Sequence, residues 1–118
     1  MTLLTNAKRI LGDNEFILKT CHKEADVKAE MKRFLKTFRI WWYMPVQTGY
    51  GVAGAPDFLG CQAGRFFGIE TKFGTNKPTE IQLWQHGLVQ AAGGRVWVVN
   101  ERNFMQFVEE WREWAIES

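Results

Sequence analysis

The sequence predicts an α/β protein, a mixed β-sheet flanked by helices. Three observations carry that prediction. Residues 54–72 read as a β-hairpin turning at Ala63-Gly64. A capped helix starting at Thr79 leads into the apolar run 95–99, which can therefore join the sheet in parallel through a crossover. Two amphipathic stripes, within 27–38 and 104–115, supply helices to cover the sheet.

A chain of 118 residues forms one domain with room for a real core. Its 46% apolar and 24% charged residues are those of an ordinary globular protein, and six Trp with nine Phe imply an aromatic core. No run of about eighteen apolar residues exists, so no membrane span or membrane partner is expected. The N-terminus lacks the regions of a secretory signal, and Cys21 and Cys61 lie outside any metal-ligand spacing. Both features suit a reducing, intracellular (cytoplasmic) setting. Net charge is +2, unevenly spread: residues 1–79 hold twelve Lys/Arg against seven Asp/Glu, and residues 80–118 hold three against six. That asymmetry permits a polyanionic partner without requiring one.

In chain order, residues 1–19 offer little beyond a short apolar group at Leu3, Leu4, Ile10 and Leu11, and the buried-looking run Phe16-Ile17-Leu18. From Thr20 or Cys21 to Phe38, the residues Val27, Met31, Phe34, Leu35 and Phe38 share one helical face. At 100° per residue from Val27, that face centres near 24°; Glu24 lies at about 60°, Glu30 at about −60° and Asp26 at about −100°. Glu24 thus points toward the core face, where the helix dipole favours an acid in the first turn; an ordinary surface acid there fits the periodicity nearly as well. Lys28, Lys32, Arg33, Lys36 and Arg39 are a solvated face or phosphate contacts.

Ile40-Trp41-Trp42-Tyr43-Met44 is a strand, which Pro45 confines to a sheet edge or ends. Residues 47–56, with three glycines, form a loop in which Thr48 and Tyr50 are candidate substrate contacts. After the hairpin, Thr79 caps a helix and Gln82 reaches back to it as a capping box. Leu83, Trp84, Leu88, Ala91 and Ala92 continue that helix, and Gly93-Gly94 stops it. The run from Arg95 to Val99 is a buried strand. Phe104, Phe107, Val108, Trp111 and Ala115 stripe a last helix that covers the core or meets another subunit.

The hairpin holds the candidate chemistry. Centred on Ala63-Gly64, it pairs Gln62 with Arg65, Phe58 with Ile69, and Asp57 with Glu70. Opposed residues hold their β-carbons about 4.5–5.5 Å apart, so the two carboxylates repel unless something positive lies between them. Lys72 shares the face of Glu70 by strand alternation. Two acids and a lysine on one spot describe a divalent-cation site with a cationic assistant; a salt bridge from Lys72 to either acid satisfies the same spacing.

Pro56-Asp57 followed by Glu70-Thr71-Lys72 on the next strand resembles the signature of the PD-(D/E)xK nuclease superfamily. Gly54-Ala55-Pro56-Asp57, Ile69-Glu70-Thr71-Lys72, and Pro78-Thr79-Glu80-Ile81-Gln82 with Gly93-Gly94 are similar to the VRR-NUC family, in particular its small stand-alone members, many of them carried by phages. The resemblance covers about residues 22–100 and implies a restriction-endonuclease-like αβββαβ core; residues 1–19 and the extra C-terminal helix after Asn103 lie outside it. It implies Mg²⁺ or Mn²⁺ held by Asp57, Glu70 and the Thr71 carbonyl, with Glu24 binding directly or through water and Glu30 in reserve. Lys72 is implied as the cation beside the attacking water, and Gln82 as a functional glutamine, a role in conflict with its place in the capping box. The activity expected from the resemblance is that of a metal-dependent, structure-selective DNA endonuclease acting as a homodimer on branched DNA such as Holliday junctions. The alternative from another class is a non-catalytic DNA-binding or dimerisation module.

Overall fold

A computed structural model of the chain describes residues 12–46 and 51–116. Its elements are α1 (Asn14–Thr20), α2 (Glu24–Thr37), β1 (Trp41–Tyr43), β2 (Phe58–Gln62), β3 (Arg65–Thr71), α3 (Glu80–Ala91), β4 (Arg95–Val99) and α4 (Phe104–Ile116). The α/β reading holds: one four-stranded mixed sheet runs β1-β2-β3-β4. The first two pairings are antiparallel, and β3–β4 is parallel through the α3 crossover. Among the described residues no helix is long and apolar enough to cross a membrane.

The hairpin has the expected register, with Phe58 opposite Ile69 and Gln62 opposite Arg65. Ala63 and Gly64 both take positive φ, 50° and 82°. That is the geometry of a two-residue turn matched to strand twist, and it fixes a register that ends at Phe58–Ile69, with Asp57 and Glu70 the next residues on either side.

Two expectations near the N-terminus need correction. Phe16-Ile17-Leu18 is not a buried run but part of α1, capped by Asp13, whose Oδ1 accepts from the Phe16 N–H at 3.0 Å; only Ile17 is buried. The following helix starts at Glu24 rather than Thr20 or Cys21. The Asp26 carboxylate accepts from the His22 N–H at 2.8 Å, which holds residues 21–23 as a break between two helices. The apolar group from Leu3 to Leu11 and the loop candidates Thr48 and Tyr50 lie outside the described residues.

Strand alternation divides the sheet into two unlike faces. Phe58, Phe67, Ile69, Trp97 and Val99 point to a core shared with Ile17 of α1, Val27, Met31, Phe34 and Leu35 of α2, and Phe104, Phe107, Val108 and Trp111 of α4. The core is aromatic, as composition implies: Phe67 and Trp111 meet edge to face at 4.7 Å between centroids, and Trp97 packs on Phe107 at 5.4 Å. Trp114, outside the predicted stripe, is buried as well, and Arg65 lies over its ring at 4.3 Å while donating to its carbonyl. That contact ties the hairpin to the C-terminal turn of α4, where a cation suits the helix dipole.

The other face carries α3, and this helix inverts the usual pattern. His86 is its one buried residue. Ile81, Leu83, Trp84 and Leu88 are all exposed, Trp84 by 66%. On the same side of the sheet Trp41, Tyr43 and Phe66 are exposed too, in line through the register Trp41–Cys61–Phe66.

Candidate functional site

Three elements meet at one end of the sheet: the segment entering β2, the end of β3, and the first turns of α3. Gly54 makes the first of these approaches possible. Its φ is +79°, and a Cβ there would lie 2.7 Å from the Ile81 carbonyl oxygen. Only glycine lets the loop before Pro56-Asp57 run so close to the backbone of α3.

Asp57 is anchored by Thr71. Its Oδ2 accepts from the Thr71 N–H at 2.9 Å and from the Thr71 hydroxyl at 2.7 Å. An extended residue directs its N–H and C=O to the same strand edge, so the Thr71 carbonyl faces the Asp57 side. The second oxygen, Oδ1, lies 3.7 Å from the Lys28 ammonium. Lys28 in turn pairs with Glu24 Oε2 at 3.3 Å. Glu24 therefore reaches the site through Lys28, one turn further along α2. Glu30 is not brought to it: its half-buried carboxyl has one oxygen without a hydrogen-bond partner, and burial raises its pKa against the pull of Arg33.

Glu70 is 1% exposed, lying beneath α3. Gln82 Nε2 donates to its Oε2 at 3.3 Å, and His86 Nε2 lies 3.4 Å from its Oε1. Burial first, then the charge of Asp57 and a hydrogen-bonding contact with it, push the Glu70 pKa up to about 8, with Lys72 opposing. Burial and the Lys72 charge lower that of His86. A raised acid beside a depressed imidazole makes the close Glu70–His86 approach a hydrogen bond between neutral groups near pH 7, not an ion pair.

The capping box at the start of α3 is present, and its expected conflict with a site role is resolved by the amide's two ends. Gln82 Oε1 accepts from the Thr79 N–H at 2.8 Å while Nε2 faces Glu70. One side chain serves both. Lys72 follows Glu70 in the strand direction, its N–H bonded to the Val99 carbonyl at 2.9 Å. Among the described residues it forms no ion pair with Glu70 or Asp57. The loop after it is fastened by buried Glu101, whose Oε1 accepts from the Gly74 N–H at 2.9 Å.

The site thus gathers Asp57, Glu70, Thr71 and Gln82, with Lys72 beside them and Glu24 linked through a lysine. Among the described residues no group of three or more His, Cys, Asp or Glu side chains is arranged to hold a metal ion. The donor set is two carboxylates and a carbonyl, and a hard cation such as Mg²⁺ is normally held by one or two carboxylates plus waters. A buried carboxyl beside a second carboxylate is also a place where a cation relieves repulsion. The residues present fit such an ion.

Sequence reasoning misses three participants: the Thr71 hydroxyl, Lys28 and His86. For the last two a signal existed, since Lys28 lies four residues after Glu24 and His86 four after Gln82, each on its partner's helix face. Comparison with models of protein families finds none that matches the chain, and comparison with curated proteins likewise finds no match.

Proposed function

We propose that this protein is a metal-dependent DNA endonuclease of the PD-(D/E)xK type, similar to the VRR-NUC family. The observation that carries the reading is that Asp57, one residue before the Phe58–Ile69 pair, is anchored on Thr71, between buried Glu70 and Lys72. The element order α2-β1-β2-β3-α3-β4 agrees with the αβββαβ core that the resemblance implies. Asp57 Oδ1, Glu70 and the Thr71 carbonyl would hold Mg²⁺ or Mn²⁺. When bound, such an ion lowers the pKa of a coordinated water and withdraws charge from a phosphodiester. Lys72, free of the site's carboxylates, steadies charge developing on the phosphate oxygens. Gln82 keeps one Nε2 hydrogen for a water or phosphate oxygen. Lys32, Lys36, Arg39 and Lys77 grip the DNA backbone in a salt-dependent manner.

Branched DNA, including four-way junctions, is the proposed substrate, and a homodimer the acting form. Exposed Ile81, Trp84 and Leu88 at i, i+3 and i+7 on α3, with Trp41, Tyr43 and Phe66 on the same sheet face, support a second copy. Large apolar side chains exposed together on one face mark interaction surfaces.

The test is incubation of labelled junction, flap, duplex and single-stranded DNA with Mg²⁺, Mn²⁺ or EDTA. Cutting that disappears in EDTA and in folded Asp57→Asn and Glu70→Ala variants supports the enzyme, and Glu24→Ala should impair it more than Glu30→Ala. The same apolar face favours one rival, a DNA-binding or dimerisation module. Binding without cutting in every metal would establish that rival instead.

A further inference from the structure

We propose that His86 is a positioning residue that, together with Gln82, clamps the Glu70 carboxylate in the orientation in which it meets a divalent cation. The inference rests on the proposed metal site and adds to it a residue outside the sequence signature.

The side chain that α3 buries is an unusual one. An amphipathic helix normally turns its apolar side chains inward, yet here Ile81, Leu83, Trp84 and Leu88 face outward and an imidazole is 5% exposed. Burying a polar ring costs free energy unless it is hydrogen-bonded. A leucine at this position would pack without that cost, so packing alone does not account for the residue.

The partner accounts for it. His86 Nε2 approaches Glu70 Oε1 at 3.4 Å, and Gln82 Nε2 approaches Oε2 at 3.3 Å. The two side chains are four residues apart on one helix face, so a single rigid element addresses both carboxylate oxygens. Gln82 is itself fixed by the Thr79 N–H, and α3 by the parallel strand after it. Each carboxylate oxygen has a second lone-pair direction beyond the one that these two partners address. Ligating carboxylates are commonly oriented by such partners, whose loss weakens metal affinity about 10–100-fold.

The experiment is Mn²⁺ titration by calorimetry on the wild type, His86→Gln and His86→Asn, with thermal melts of each. Gln spans the distance to Glu70 and Asn is too short. The expected result is Mn²⁺ affinity within about threefold of wild type for His86→Gln and at least about tenfold weaker for His86→Asn. A residue with a merely structural role would shift the melts and leave the affinities alike. Wild-type affinity in both folded variants overturns the proposal and leaves the metal site standing. A wild type that takes up no Mn²⁺ overturns the metal reading itself. Should His86→Asn not fold, His86→Ala replaces it: added imidazole should restore its lost Mn²⁺ affinity, and no restoration counts against the clamp.

Discussion

Thr71 grips a single oxygen of Asp57 twice, through its amide at 2.9 Å and its hydroxyl at 2.7 Å. The residue between the acid and the lysine of Glu70-Thr71-Lys72 is therefore the anchor of the other acid. Thr71 is fully buried, so Val is a near-isosteric replacement that removes only the hydroxyl. A hydrogen bond to a charged group contributes about 1.5–3 kcal/mol. Thr71→Val should lose stability of that order in urea melts and slow cleavage about tenfold. Thr71→Ser, which keeps the hydroxyl, should stay close to wild type; equal activity in all three proteins would remove the Thr71 hydroxyl from the site.

Glu70 makes stability depend on pH in a stated direction. Its pKa rises from 4.5 to about 8 on folding, so between those values the folded chain holds a proton that the unfolded chain has released. The stabilisation is complete below about pH 4.5 and is lost as pH rises through 8. Its upper bound is on the order of 5 kcal/mol. Urea midpoints without metal should fall across this window, and in Glu70→Gln this contribution to the slope should vanish. Mn²⁺, which binds the ionised carboxylate, should flatten it and release close to one proton per ion at pH 7. A midpoint that climbs from pH 5 to 8 would contradict the assignment.

Gln82 separates fold from site because its two ends act differently. Gln82→Glu keeps an acceptor for the Thr79 N–H but sets a second carboxyl against Glu70. The helix cap should survive, with thermal stability within about 1 kcal/mol of wild type at pH 8, while cleavage falls sharply. Gln82→Ala removes both contacts and should lower both stability and activity. Wild-type cleavage in a Gln82→Glu variant that keeps its stability would mean that the amide serves the cap alone.

The contrast between Asp57 and His86 shows what a sequence of this kind reveals. The hairpin register was legible because strand alternation and a two-residue turn leave one register, and the structure keeps it from Gln62–Arg65 to Phe58–Ile69, the pair beside Asp57 and Glu70. The α3 crossover and the β4 limits were legible for similarly local reasons, a capping box and a Gly-Gly stop. His86 was overlooked despite its four-residue spacing from Gln82, because periodicity assumes that apolar residues face inward, and α3 turns its polar edge to a buried carboxyl instead. Lys28 fell into a basic stripe whose members look alike until tertiary packing chooses one. The α1–α2 break was hidden because a hydrogen bond from His22 to Asp26, not a glycine or proline, makes it.

Ala63 is a local rule broken at low cost. It takes φ of 50° in an exposed turn, a region L-residues other than Asn and Asp rarely adopt. Ala63→Asn should stabilise the chain by a few tenths to about 1 kcal/mol without altering activity. Chemical denaturation measures it, and a loss of stability would mean that the turn relaxes from this geometry.

The outward face of α3 yields the last prediction. Trp84 is 66% exposed and Leu88 48%, on the side of the helix away from His86 and Glu70. A stable interface buries about 800 Å² per partner, and large apolar side chains near its centre dominate its energetics. Trp84→Glu and Leu88→Glu place charges there without touching the site. Sedimentation should show a dimer for the wild type at micromolar concentration and monomers for the variants. Mn²⁺ affinity should be unchanged in the monomers, since the carboxylate clamp lies on the opposite helix face. Paired incisions on a junction should become single nicks, because one copy carries one site. A wild type that sediments as a monomer would remove the dimer, and monomers that still make paired incisions would separate strand cutting from assembly.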